Sequence, residues 1–117
     1  MTAAALPGAG ASGELDPVVP VWNGPANVHA IFTTRTGGAS TGPTATLDLG
    51  PARLAAHDRD GAVAENRRRL RRLLPADPVW LEQVHGTQVV TLDAHDAMQA
   101  RNDPPRADAA VTRTPGI

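Results

Sequence analysis

The sequence predicts an α/β fold, and three observations predict it. Two runs are rich in β-branched and aromatic residues: 27–34, followed by Gly37-Gly38, and 79–94, broken at Gly86. Between them, 60–74 carries apolar residues at helical spacing. A last extended run, 109–114, leads into Pro115-Gly116. Strand-like and helix-like segments thus follow one another within 117 residues, a length that fits one small domain.

Each element has its own local reason. Residues 1–17 are Ala, Gly, Ser and Pro-rich without periodicity and are expected to form a disordered leader, with order beginning near Val18. "NVHAIFTT", 27–34, reads as a strand feeding a tight glycine loop. "TGPTATLDLGPA", 41–52, reads as loop with a short extended piece around Leu47 and Leu49. "DGAVAENRRRLRRLL", 60–74, reads as a helix: Val63, Leu70, Leu73 and Leu74 fall near one face, Asp60 is the expected cap, and Pro75 follows the end. "VWLEQVHG" and "TQVVTLDA" read as two extended segments, "HDAMQARNDPPRAD" as a polar connection, and "AAVTRT" as a final strand. One apolar residue, Ile117, follows the last turn, as though a further strand were beginning.

Composition narrows the function classes. Hydrophobic residues make up 41% of the chain, but only Trp22, Phe32 and Trp80 are aromatic, so the core must be modest and largely aliphatic. A net charge of −1 gives no global field to gather nucleic acid or anionic membrane. No stretch has the length and apolarity of a bilayer span or a signal peptide. The absence of Cys suits the cytoplasm and removes any thiolate ligand or nucleophile. Five Arg within 67–72 are expected to be a solvated helix face whose stems shield the apolar stripe, rather than a nucleic-acid surface.

Two phrases could carry chemistry. "TTRTGG", 33–38, places paired glycines that can turn backbone N–H groups inward beside Arg35, a planar donor fork suited to phosphate or a ribosyl oxygen; on its own residues it reads more readily as a glycine turn with an exposed arginine. In "WLEQVHGTQVV", 80–90, His85 is either a metal or catalytic imidazole or a satisfied polar residue at a strand end. His29, His57 and His95 sit in other segments without ligand-like spacing and read as surface residues.

Taken together, "FTTRTGGASTGPTATLDLG", "AVAENRRRL", "WLEQVHGTQVV" and "ADAAVTRTPGI" resemble the N-terminal half of the laccase-domain, or YfiH-like, family, also described as peptidoglycan editing factors and purine nucleoside phosphorylases. The resemblance implies an α/β fold with mixed sheets and flanking helices, truncated here after roughly its first half, so that 18–117 would be the N-terminal half of a laccase domain. It implies phosphorolysis of adenosine, inosine and methylthioadenosine, adenosine deamination, and a zinc site of two His and one Cys; an older assignment is a copper-dependent polyphenol oxidase. His85 matches the first histidine ligand, and Thr33 and Arg35 match substrate-pocket residues. The Cys and second His fall in family positions after Ile117, so a separate C-terminal half is an expected partner, beside purine nucleoside and phosphate. Asp48 stands where the family has a pocket Asn, and an ionised Asp accepts hydrogen bonds but donates none. Thr44 replaces a frequent Tyr. The alternative is a non-catalytic remnant that binds a nucleoside, phosphate or partner chain.

Overall fold

The computed structural model describes residues 14–52, 58 and 60–117. Most of the expected leader, 1–13, and His57 lie outside the described residues. The remaining leader residues are engaged: Leu15 is buried, and the Asp16 carbonyl accepts a 2.8 Å hydrogen bond from Thr34 Oγ1.

The helix expected over 60–74 is present as α1 (Ala62–Arg71), shorter at both ends. Its N-cap is Gly61, left-handed at φ 75°, so the cap acceptors come from upstream. Asp58 accepts from the N–H groups of Val63 and Ala64, both at 2.9 Å, and Asp60 Oδ1 accepts from Ala62 at 3.1 Å. Past Arg71 the chain tightens into three-residue turns, with Leu73 N–H on the Leu70 carbonyl and Leu74 N–H on the Arg71 carbonyl, before Pro75. The buried stripe is Ala62, Val63, Asn66 and Leu70; Leu73 and Leu74 are only half-buried.

β1 (Val89–Leu92), α2 (Ala94–Gln99) and β2 (Ala109–Thr112) form one crossover unit. The strands pair in parallel, Val89 opposite Ala109 through Leu92 opposite Thr112, as strands joined through a helix must when the connection returns the chain to the same end. α2 corrects the polar connection expected over 95–108. Asp93 and Asp96 cap it reciprocally: Asp96 N–H donates to Asp93 Oδ1 at 2.9 Å and Asp93 N–H to Asp96 Oδ2 at 3.0 Å.

Two expected strands reduce to single bridges. Among the described residues, 27–34 pair only at Phe32, antiparallel to Val18, with N–H to carbonyl distances of 2.7 and 2.8 Å. Pro17 and Pro20 flank Val18 and cannot donate, so the ladder does not extend. Among the described residues, 79–86 pair only at Glu82, parallel to Arg106, beside Pro104-Pro105. The fold is therefore α/β with both pairing senses present and α2 packed on β1 of a small parallel sheet, while α1 packs on the 37–51 loop.

The apolar core is thin: Leu15, Ala62, Val63, Leu70, Leu92, Ala100 and Ala107. β2 is exposed along its whole length, Val111 at 54%, and Val89 at the start of β1 is 60% accessible, whereas parallel sheets are ordinarily covered on both faces. Among the described residues no helix is long and apolar enough to cross a membrane.

Candidate functional site

The segment from Arg35 to Gly50 closes on itself through backbone bonds. The Arg35 carbonyl accepts from the N–H groups of Thr46 (3.0 Å) and Leu47 (2.9 Å) and from Thr46 Oγ1 (2.7 Å), while Ser40 N–H donates to the Thr46 carbonyl at 2.9 Å. The Arg35 guanidinium lies over the same knot, its Nε and Nη2 donating to the Ala45 carbonyl at 3.0 and 2.7 Å. The glycine pair exists for close backbone approach. A Cβ on Gly37, φ 96°, would meet the backbone of Glu14 and Leu15, and one on Gly38 would meet the backbone of Thr46 and Leu47.

α1 grips this knot from below. Asn66, fully buried, accepts from Ala39 N–H at 2.7 Å and donates through Nδ2 to Ser40 Oγ (2.8 Å) and to the carbonyls of Thr46 (3.2 Å) and Asp48 (2.9 Å). Arg67 donates to the carbonyls of Leu49 (2.9 Å) and Pro51 (2.7 Å) and stacks 4.0 Å over the Trp80 ring. Arg69 donates to the Gly37 carbonyl at 2.8 Å and to Glu65 at 3.1 Å. The expectation of a uniformly solvated arginine face is thus corrected. Arg68 and Arg72 are exposed, but Arg67 and Arg69 spend their donors on loop carbonyls, because a planar guanidinium can reach several at once. Burial lowers the pKa of Arg67, against the opposing charges of Asp58 and Asp48. Glu65, bonded by Arg69 and Arg68, is held below the usual carboxylate range.

His85 stands on a separate wall. It is exposed and left-handed at φ 58°. Asp108, the residue before β2, accepts from Val84 N–H at 3.2 Å and Gln88 N–H at 3.3 Å. Desolvation raises the pKa of Asp108, but backbone bonds from Gln88, Gly86, His85 and Val84 together bring it below its ordinary value. His85 shares a cleft of about 550 Å³ with Gly50, Pro51, Trp80, Glu82 and Gln83. A larger groove of about 690 Å³ runs between α1 and α2, past Arg71, Met98 and Arg101, and Trp80 borders both.

The four sequence-predicted residues therefore fall into two groups. Arg35 and Asp48 belong to one knot; Asp48 Oδ1 accepts from Gly50 N–H at 2.8 Å and its carbonyl is held by Asn66. Thr33 is exposed just ahead of that knot. His85 faces the cleft into which the knot delivers Gly50 and Pro51, but Thr33, Arg35 and Asp48 do not line it. Asn66, Arg67 and Asp108 were not singled out by sequence reasoning; the available signal was a polar Asn spaced between Val63 and Leu70 on the apolar stripe. Among the described residues no group of three or more His, Asp or Glu could hold a metal ion, and His29 and His95 are exposed in other segments. One exposed imidazole does not fit the three-ligand site of a catalytic metal.

Fold and cleft define a small α/β domain in which a basic helix grips a glycine-containing loop. A family model described as multi-copper polyphenol oxidoreductase laccase matches residues 29–117, and the chain belongs to that family. It is 43% identical over 102 residues to a purine nucleoside phosphorylase of Pseudomonas aeruginosa, covering 86% of this chain and 37% of that protein. It is 43% identical over 103 residues to purine nucleoside phosphorylase YfiH of Escherichia coli, covering 85% and 38%. A purine nucleoside phosphorylase of Streptomyces griseus is 39% identical over 94 residues, covering 78% and 36%. The chain thus spans well under half the length of these relatives. No solved structure matches it significantly.

Proposed function

We propose that residues 18–117 are the N-terminal half of a purine nucleoside phosphorylase-type domain that works in the cytoplasm. In this reading the domain cleaves adenosine, inosine or methylthioadenosine by phosphorolysis, and also deaminates adenosine. A phosphate oxygen bonds to the ribosyl anomeric carbon, the glycosidic C–N bond breaks, and the base leaves with a proton. The observation that carries the reading is the 43% identity to two proteins of that name over 86% and 85% of this chain. Thr33 and Arg35 would meet the ribosyl or anionic group and Asp48 would border it, while His85 would present its imidazole from the neighbouring cleft, which those three residues do not line.

Zinc as the metal, with His85 as one ligand, belongs to the same proposal and needs two further ligands from outside the described residues. Asp48 favours a second reading, a binding module without turnover, because its carboxylate repels phosphate and cannot donate.

The test mixes this chain with a polypeptide carrying the remainder of the family domain and follows release of free base at several phosphate concentrations. Turnover is expected only in the mixture; His85→Ala should abolish it, and Arg35→Ala should chiefly raise KM. Association of the two without turnover, even after Asp48→Asn, would replace the enzyme reading with the binding one.

A further inference from the structure

We propose that Asp108 is a positioning residue for His85: its carboxylate, seated in the crook of residues 84–88, keeps His85 in a left-handed backbone conformation on the wall of the cleft. The inference rests on the reading above only in giving His85 a task.

The local sequence does not explain the conformation of His85. Left-handed φ is uncommon for any residue with a Cβ, and the adjacent Gly86 could adopt it freely. Yet His85 is the residue at φ 58°, while Gly86 is not among the positive-φ glycines. Something outside the turn must therefore select this arrangement, and Asp108 is in place to do so. Its Oδ1 takes the Val84 N–H at 3.2 Å and its Oδ2 the Gln88 N–H at 3.3 Å, so the two oxygens fasten residues on either side of His85. Gly86 lies against the same carboxylate: a Cβ there would sit 3.6 Å from Asp108 Oδ2.

Asp108 is itself fixed from both directions. Its N–H and that of Ala109 donate to the Gln88 carbonyl at 2.9 and 3.1 Å, where β1 and β2 begin to pair. Upstream, Glu82 N–H donates to the Pro105 carbonyl at 2.8 Å and Ala107 N–H to the Glu82 carbonyl at 3.1 Å. Segments 82–89 and 105–109 are thus registered above and below the His85 loop, and the carboxylate fills the gap between the two points of attachment. Ala at 108 would leave the strand register intact and remove only the anchor. Asn would keep one acceptor and turn an amide N–H₂ toward a backbone donor.

The experiment is NMR on the labelled full chain with Asp108→Ala and Asp108→Asn. Loss of the anchor should move the His85 backbone carbon shifts off their left-handed values and speed amide exchange at Val84 and Gln88 on the order of tenfold, with Asn intermediate. Unchanged exchange at Leu70 and Leu92 certifies the fold; if the Ala variant unfolds, the Asn variant gives the reading. Left-handed His85 shifts and unaltered Val84 and Gln88 exchange in a folded variant would overturn the proposal. In the mixture assay, Asp108→Asn should lower kcat about tenfold with KM within about twofold. Absence of phosphorolysis with wild-type Asp108 would refute the enzyme reading alone, since the His85 shifts decide the positioning role without turnover.

Discussion

Asn66→Ala is expected to be the most damaging single change on α1, and its size follows from the four bonds it removes. The carboxamide is fully buried and joins Ala39, Ser40, Thr46 and Asp48. At about 1 kcal/mol net for each bond, their loss amounts to about 4 kcal/mol. Buried partners left without water would raise the figure, while partly buried ones that recruit water would lower it. Against a typical domain stability of about 5–15 kcal/mol, that loss is a large fraction of the total. Thermal melts by circular dichroism should show Tm falling by about 15–30 °C. Asn66→Asp should do almost as much harm: it keeps the acceptor for Ala39 N–H but turns a negative charge on the Thr46 and Asp48 carbonyls. A Tm within about 5 °C of wild type for Asn66→Ala would refute the view that one side chain organises the loop.

Two further outcomes follow from the same helix. Arg67→Ala removes bonds to the Leu49 and Pro51 carbonyls and the stack on Trp80, an expected loss of about 2 kcal/mol, with Arg67→Lys recovering less than half because an ammonium cannot span both carbonyls while stacking; urea unfolding with tryptophan fluorescence checks it, and full recovery by Lys would contradict the geometry. Glu65 is held below its ordinary pKa by Arg69 and Arg68, so its stabilising contribution is complete above the unfolded value and fades as pH falls through the folded one. Glu65→Gln should therefore flatten the acid side of the stability profile, and equal slopes for the two proteins below about pH 4.5 would speak against that pairing.

The helix and the last two strands were legible because their signals are local. Periodicity placed α1, and β-branched pairs placed β1 and β2. α2 was hidden because its reciprocal cap uses Asp96 rather than the usual Glu or Gln, inside a segment polar enough to pass for a connection. The strands expected around Phe32 and Glu82 failed through prolines in their partners, which sequence-local reading of 27–34 and 79–86 does not consult. At the site, "TTRTGG" and His85 were visible as residue types, but the roles of Asn66, Arg67 and Asp108 depend on contacts 16 to 27 positions away in the chain. Spacing along the chain carries no record of such contacts.

The grip of α1 on the loop has an evolutionary corollary. Apart from the bond to Ser40 Oγ, the atoms that Asn66, Arg67 and Arg69 seize in the 37–51 segment are backbone carbonyls and one backbone N–H. Every amino acid offers a carbonyl, so this part of the grip does not depend on which side chain stands there, in contrast to Gly37, Gly38, Ser40 and Thr46, whose own chemistry shapes the segment. Substitutions such as Asp for Asn at position 48, or Thr for Tyr at position 44, can then change the chemistry the segment presents without redrawing its path, one residue at a time.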